Sequence, residues 1–161
     1  MTFSTSKKGF GLVEVIIGSA VLSASLLGIS GFFQTILKTS RATEATLQAD
    51  YLLEEGVESV KLFRDLGYTT NIKNMSTSTT YYFSWDGSKW VATTTPLLID
   101  SKYERTLTFA DVNRDVNSDI ATVGTYEPNV KRATVSVSWW NPAVSTTTRS
   151  IQTYITNLFE N

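Results

Sequence analysis

The sequence predicts an α+β chain. One long amino-terminal α-helix, transmembrane in its first half and amphipathic in its second, packs on a small, mostly antiparallel β-sheet headgroup. Three observations predict it. Residues 10–66 contain no proline and read as helix throughout, apolar to Leu37 and then periodic at steps of three and four. From Tyr81 the period changes to two, in short runs rich in Thr, Val, Tyr and Trp, separated by turn residues. The apolar side of such a sheet needs a cover, and the inner face of the helix is the available one.

Composition narrows the chemistry before any motif is read. The chain has 161 residues, enough for one ordinary domain plus a membrane segment, and a net charge of -1, which exerts no global pull on nucleic acid. It has no cysteine, hence no disulfide framework, thiolate chemistry or cysteine metal site. It has no histidine either, which removes the commonest general base and metal ligand together. A non-enzymatic protein without a cofactor is the expectation.

The first element is decided by one charge. Between Gly9 and Leu37 the only ionisable side chain is Glu14. The stretch exceeds the ~20 apolar residues needed to cross a bilayer core, and a carboxylate inside it costs roughly 2.5–3.5 kcal/mol on insertion scales. Gly18, Ser19, Ala20, Ser23, Ala24, Ser25, Gly28, Ser30 and Gly31 leave room for close helix–helix approach. Lys7 and Lys8 precede the run, so its amino terminus faces the cytoplasm and the larger domain faces outward. A secretory signal peptide accounts for the basic start but not for an acid in the apolar core or for the length of the run. A plain signal anchor accounts for length and orientation and leaves Glu14 without a reason.

Lys7-Lys8-Gly9-Phe10-Gly11-Leu12-Val13-Glu14-Val15-Ile16-Ile17 resembles the class III signal of type IV prepilins and pseudopilins. The resemblance implies a non-enzymatic filament subunit of the type IV pilin fold. A prepilin peptidase would cut between Gly9 and Phe10 and methylate Phe10, and Glu14 would be the assembly residue. The implied partners are that peptidase, an inner-membrane assembly platform, membrane lipid before assembly, and other pilin or pseudopilin subunits, with no nucleic acid. The implied location is the bacterial cytoplasmic membrane, then a pilus or pseudopilus outside it. The division is a leader at 1–9, a transmembrane and assembly helix at 10–37, its amphipathic continuation at 38–67, and a β-rich headgroup at 68–161. Many filament-forming members carry a helix-breaking proline where this chain has Gly31. Two glycines, Gly28 and Gly31, at ~1 kcal/mol each weaken a helix without breaking it.

Beyond Arg41, Ala42, Ala45, Ala49, Leu52, Gly56, Val60 and Phe63 form one helix face. Lys61 is spaced to pair with Glu58 and Asp65 on the wetter side. Gly67 suits a left-handed cap, with Tyr68 folding back. Residues 52–65 look like the corresponding helix of PilV-type minor pilins and of the I-type minor pseudopilin of type II secretion.

The rest reads as a loop at 69–80, then four to five strands. Asp86-Gly87-Ser88 turns a hairpin between 81–85 and 89–92. Tyr103, Arg105, Leu107 and Phe109 share a face, as do Ala133, Val135, Val137 and Trp139, and 149–158 returns with Ile151 and Ile155 inward. Trp139 and one or both of Trp85 and Trp90 fill the core, while Trp140 is out of phase and exposed. Asp111, Asn113, Asp115, Asn117 and Asp119 space oxygen ligands as a calcium loop does. The turn position that needs glycine is Val116, however, and the twelfth is Thr122, so an Asp/Asn-rich turn is the plainer reading. Asn74-Met75-Ser76 matches a glycosylation triplet that arises readily by chance. Two other functions stay open: a monomeric membrane-anchored binding or adhesin domain using exposed aromatics, and a DNA-uptake pseudopilin. For the latter Lys102, Arg105, Lys131 and Arg132 are too few to argue DNA binding.

Overall fold

The computed structural model describes residue 9 and residues 11–141 and 145–159, which fall into two compact units, one reaching to Glu44 and one from Ala45 onward. Helix α1 runs from Leu12 to Asp65 (54 residues), unbroken at Gly28 and Gly31. In the first unit every helical residue to Glu44 is exposed. Its hydroxyls are satisfied within the helix: Ser19 donates to the Ile16 carbonyl at 2.9 Å, Ser23 to Ser19 at 2.8 Å, Ser25 to Val21 at 2.8 Å and Thr35 to Gly31 at 3.0 Å. That bonding removes the polarity of the side chains from an otherwise apolar surface.

In the second unit the helix buries Ala45, Ala49, Leu53, Gly56, Ser59, Val60 and Phe63. The expected face is corrected at two places: Ala42 is exposed and Leu52 only half-buried, Leu53 taking the inward position. Gly56 is buried because its backbone lies against the sheet; a Cβ there would sit 2.6 Å from Val135 Cγ1 and 3.1 Å from Arg105 Cδ. Lys61 binds Glu58 as expected (2.7 Å), but Asp65 pairs with Arg64 (2.7 Å).

The helix end departs from the expected left-handed cap. Gly67 has φ 140° and ψ 101°, and its N–H bonds three residues back, to Arg64. A short helix, α2 (Tyr68–Asn71), starts directly after it, inside what the composition presents as loop. Asn71 Nδ2 donates to the Phe63 carbonyl at 3.2 Å, satisfying one of the acceptors a helix end leaves open.

Among the described residues seven strands follow, two more than the largest number expected: β1 (Tyr82–Trp85), β2 (Trp90–Thr93), β3 (Leu98–Ile99), β4 (Tyr103–Arg114), β5 (Ile120–Ala121), β6 (Thr125–Asn141) and β7 (Ser145–Thr156). β1 and β2 form the expected hairpin; the others make a five-stranded sheet in the order β3-β4-β6-β7, with β5 also on β4, and every pairing is antiparallel. The alternation holds on the central strands: Tyr103, Leu107, Phe109, Ala133, Val135, Val137 and Trp139 are all buried against the helix. Ile155 is buried too, but Ile151 is 39% exposed, because β7 is the last strand of the sheet and the helix does not cover its middle. Trp139 is core, Trp90 packs partly buried against it, and Trp85 and Trp140 are exposed.

Two cations counted above as surface charge are interior. Arg105 ties three elements together: it binds Glu55, and donates to the carbonyls of Leu52 and Phe83 at 3.3 Å each, with Trp90 stacked on its guanidinium. Lys131 donates to the Met75 carbonyl at 2.8 Å and lies 3.7 Å from Asp111. Buried cations need such partners, since an unpaired one is strongly unfavourable.

Tyr68 is fully buried. Burial first, and then the negative charges of Tyr126, Glu127 and Asp111, push its phenol up to about 12. The folded state therefore holds a proton that the unfolded chain releases near pH 10. This contribution to stability is complete below about pH 10 and is lost as pH rises through about 12. In alkaline unfolding titrations Tyr68→Phe should flatten most of that slope, leaving a smaller one from Tyr82, which burial also raises. An unchanged slope would show that Tyr68 is not its source.

One property of β7 follows from the register. Asn157 N–H donates to the Asn129 carbonyl at 2.9 Å, extending the Val130–Thr156 pairing. Bonding alternates along an antiparallel ladder, so odd-numbered residues of β7 bond to β6 and even-numbered ones direct N–H and C=O outward.

Candidate functional site

The site is the start of α1, where an acid sits on an apolar helix. Gly11 is the residue before the first helical one, and its carbonyl accepts from Glu14 N–H (3.1 Å) and Val15 N–H (3.3 Å). Glu14 stands at the third helical position, and its Oε2 accepts the Gly11 N–H at 2.9 Å. This is the carboxylate half of a capping box, favoured also because the helix dipole places partial positive charge there. The carboxylate thus has one local donor, and its remaining acceptor capacity is open among the described residues. Gly9 is exposed and lies outside the helix. Lys7, Lys8 and Phe10 lie outside the described residues. The motif gives Glu14 an assembly role and says nothing of its bond to Gly11, although an acid three residues after a glycine at a helix start carries that signal.

Around the acid, Leu12, Val13, Val15, Ile16 and Ile17 are 57–78% exposed. The helix is long and apolar enough to cross a membrane, and the apolar window is not buried within the protein as the core helix of a soluble protein would be. Among the described residues it is the one helix of that kind. A Cβ at Gly18, Gly28 or Gly31 would meet nothing within 4 Å.

The five calcium candidates lie at the end of β4 and in the turn that leads to β5. Asp111 faces Lys131, and Asn113 donates to the Thr122 carbonyl at 3.3 Å. Asp115 Oδ1 accepts from the N–H groups of Asn117 (2.8 Å) and Asp119 (3.0 Å), a turn closed by its own side chain. Asn117 and Asp119 are exposed. Among the described residues no group of three or more acids is arranged to hold a metal. Calorimetric titration of the whole chain in detergent with millimolar calcium should give no site-specific heat and no melting shift. A saturable heat lost in Asp115→Asn would overturn that expectation.

Comparison with known proteins finds no matching family model, no similar curated protein and no similar solved structure.

Proposed function

We propose that this chain is a structural subunit, of the minor kind, of a type IV pilus or a type II secretion-like pseudopilus. A prepilin peptidase cleaves it after Gly9 and methylates Phe10. It rests in the cytoplasmic membrane until its helix is drawn into a filament of like subunits. The observation that carries this reading is Glu14, a carboxylate with one donor among the described residues, on a helix whose apolar residues up to Glu44 are all exposed. Removal of the leader creates an amine at Phe10. In hydrocarbon an unpaired acid and an unpaired amine are each costly, and bringing one chain's acid to its neighbour's amine relieves both. The α+β architecture, a long apolar helix continued under an antiparallel sheet, is compatible with a pilin.

Mass spectrometry of the mature amino terminus tests the reading. The expected species begins with methylated Phe10. Retained Met1, or a cut near residue 30, in cells that process their other prepilins would overturn it. Exposed Trp85 and Trp140 favour one second reading, a membrane-anchored binding domain, and a retained leader is its signature.

A further inference from the structure

The five-stranded sheet treats its two edges differently. The outer edge of β4 is occupied at three points. β3 pairs with Tyr103 and Glu104, and β5 with Asn113 and Arg114. Between them Tyr81 exchanges two hydrogen bonds with Leu107, at 2.9 Å and 2.8 Å. Short segments of this kind are one way a sheet covers an edge. β7, at the other edge, has no strand on its outer side among the described residues.

Nor does β7 carry the other devices that blunt an edge. Its ladder with β6 runs through consecutive pairs from Val130–Thr156 to Asn141–Ser145 with no shift of register, whereas the β4–β6 ladder is interrupted between Asp111 and Asn113. It contains no proline and no lysine. Its one charged side chain, Arg149, is turned to the Asp50 carboxylate of α1 at 3.2 Å. By the alternation described above, Thr146, Thr148, Ser150, Gln152, Tyr154 and Thr156 direct N–H and C=O away from β6. At 3.3–3.4 Å per residue the open edge is roughly 40 Å long.

Such an edge specifies its occupant more closely than an apolar patch does. Donors and acceptors repeating along a straight strand are matched by another extended backbone. Side chains set the rest. On the helix side an added strand lies beside Ile151, 39% exposed, and Thr153; on the far side it lies beside Thr148, Ser150 and Gln152. With Arg149 already paired, the complement is an uncharged segment, β-branched on one face and hydroxyl- or amide-bearing on the other.

We infer that β7 takes up an extended segment of a different filament subunit, added antiparallel as a further strand of the sheet. Antiparallel addition continues the pattern of every other pairing in the sheet and is the slightly more stable arrangement. The inference rests on the filament reading, in which a minor subunit has other chains for neighbours, and it names the surface by which the head joins them.

Residue-resolved amide hydrogen exchange on the full-length chain tests it. In detergent, the amides of Thr148, Ser150, Gln152 and Tyr154 should exchange fast, while those of Arg149, Ile151 and Thr153 are protected by β6. In filaments containing the chain, the first four should slow by about tenfold or more. Ser150→Pro removes an outward N–H and no bond to β6, so the melting temperature should hold. Its incorporation into filaments should nonetheless drop about tenfold. Ser150→Lys, which adds a charge to the edge and leaves the ladder intact, should act in the same direction. Fast exchange retained in filaments, or full incorporation of both variants, would overturn the inference and leave the filament reading standing. Slow exchange already in the purified chain would mean that a second copy fills the edge, which also overturns it. A chain that keeps its leader and stays out of filaments would overturn both.

Discussion

Gly56→Ala should destabilise the headgroup by about 1–2 kcal/mol, although alanine is the better helix former. The swap gains up to ~1 kcal/mol in an exposed helix. At Gly56 the added methyl falls 2.6 Å from Val135 Cγ1, inside any real carbon–carbon contact, and 3.1 Å from Arg105 Cδ. Neither neighbour yields easily. Val135 is 1% exposed and stiff at its first torsion, and Arg105 is held by Glu55, Leu52 and Phe83. Overpacking a filled core costs typically about 1–3 kcal/mol, so the clash wins. Leucine at the same place should cost about 3 kcal/mol or more, a large part of a typical domain's stability of roughly 5–15 kcal/mol. Thermal unfolding in detergent measures both. Pairing Gly56→Ala with Val135→Ala should cost less than the sum of the single changes, since the smaller residue makes the room. Gly28→Ala and Gly31→Ala, where a Cβ meets nothing, should not destabilise. A rise in melting temperature with Gly56→Ala would refute the close-approach account.

Glu14→Val should insert in the membrane as the wild type does and fail to join filaments. Insertion is, if anything, easier without the carboxylate. In the proposed filament the variant lacks the acid that would pair with the neighbour's amine, whose unpaired burial costs roughly 2.5–3.5 kcal/mol, on the order of a hundredfold in incorporation. Glutamine separates two roles that valine removes together. Its amide oxygen still accepts from Gly11 N–H, so the helix start stays capped, but it carries no charge. Glu14→Gln should therefore resemble valine in filaments, measured as the fraction of chain sedimenting with sheared filaments, while membrane-bound amounts stay level. Wild-type incorporation of the glutamine variant would show that the bond to Gly11 suffices and that the charge is not used.

Periodicity made the large features legible. A proline-free run of this length, switching from uniformly apolar to amphipathic, has few outcomes besides one helix, and the alternation around Leu107 and Val135 named the inner sheet face correctly. Failures fall where tertiary context overrides local pattern. The period-two rule placed Ile151 and Ile155 alike, but it knows nothing of how far a helix extends over a sheet. β3 is not legible because its hairpin turn uses Asp100 and Ser101 at φ 51° and 54°, a conformation that sequence signals associate with glycine or asparagine. Spacing puts Gly56 on the inner helix face, but no local pattern tells that its backbone lies against Val135 and Arg105. Arg105 alternates with Tyr103 and Leu107, which places it on the inner face, while its charge alone suggests the surface. Its carbonyl and carboxylate partners come from elements 50 residues away and 22 residues away, which no local window contains. At the helix start the acid was visible in the motif, but its intrahelical acceptor role needed the position of the cap.

The outer rim formed by β7 has a practical meaning for anyone handling the headgroup. Six successive even-numbered residues, from Thr146 to Thr156, offer unshared amide rungs to solvent. The strand contains neither proline nor lysine, and its one charge, Arg149, is drawn toward Asp50 at 3.2 Å. Nothing along that rim repels a stray extended peptide, so tape-like growth during refolding or concentration is expected to start there. A lysine or proline at one of those rungs is the natural remedy.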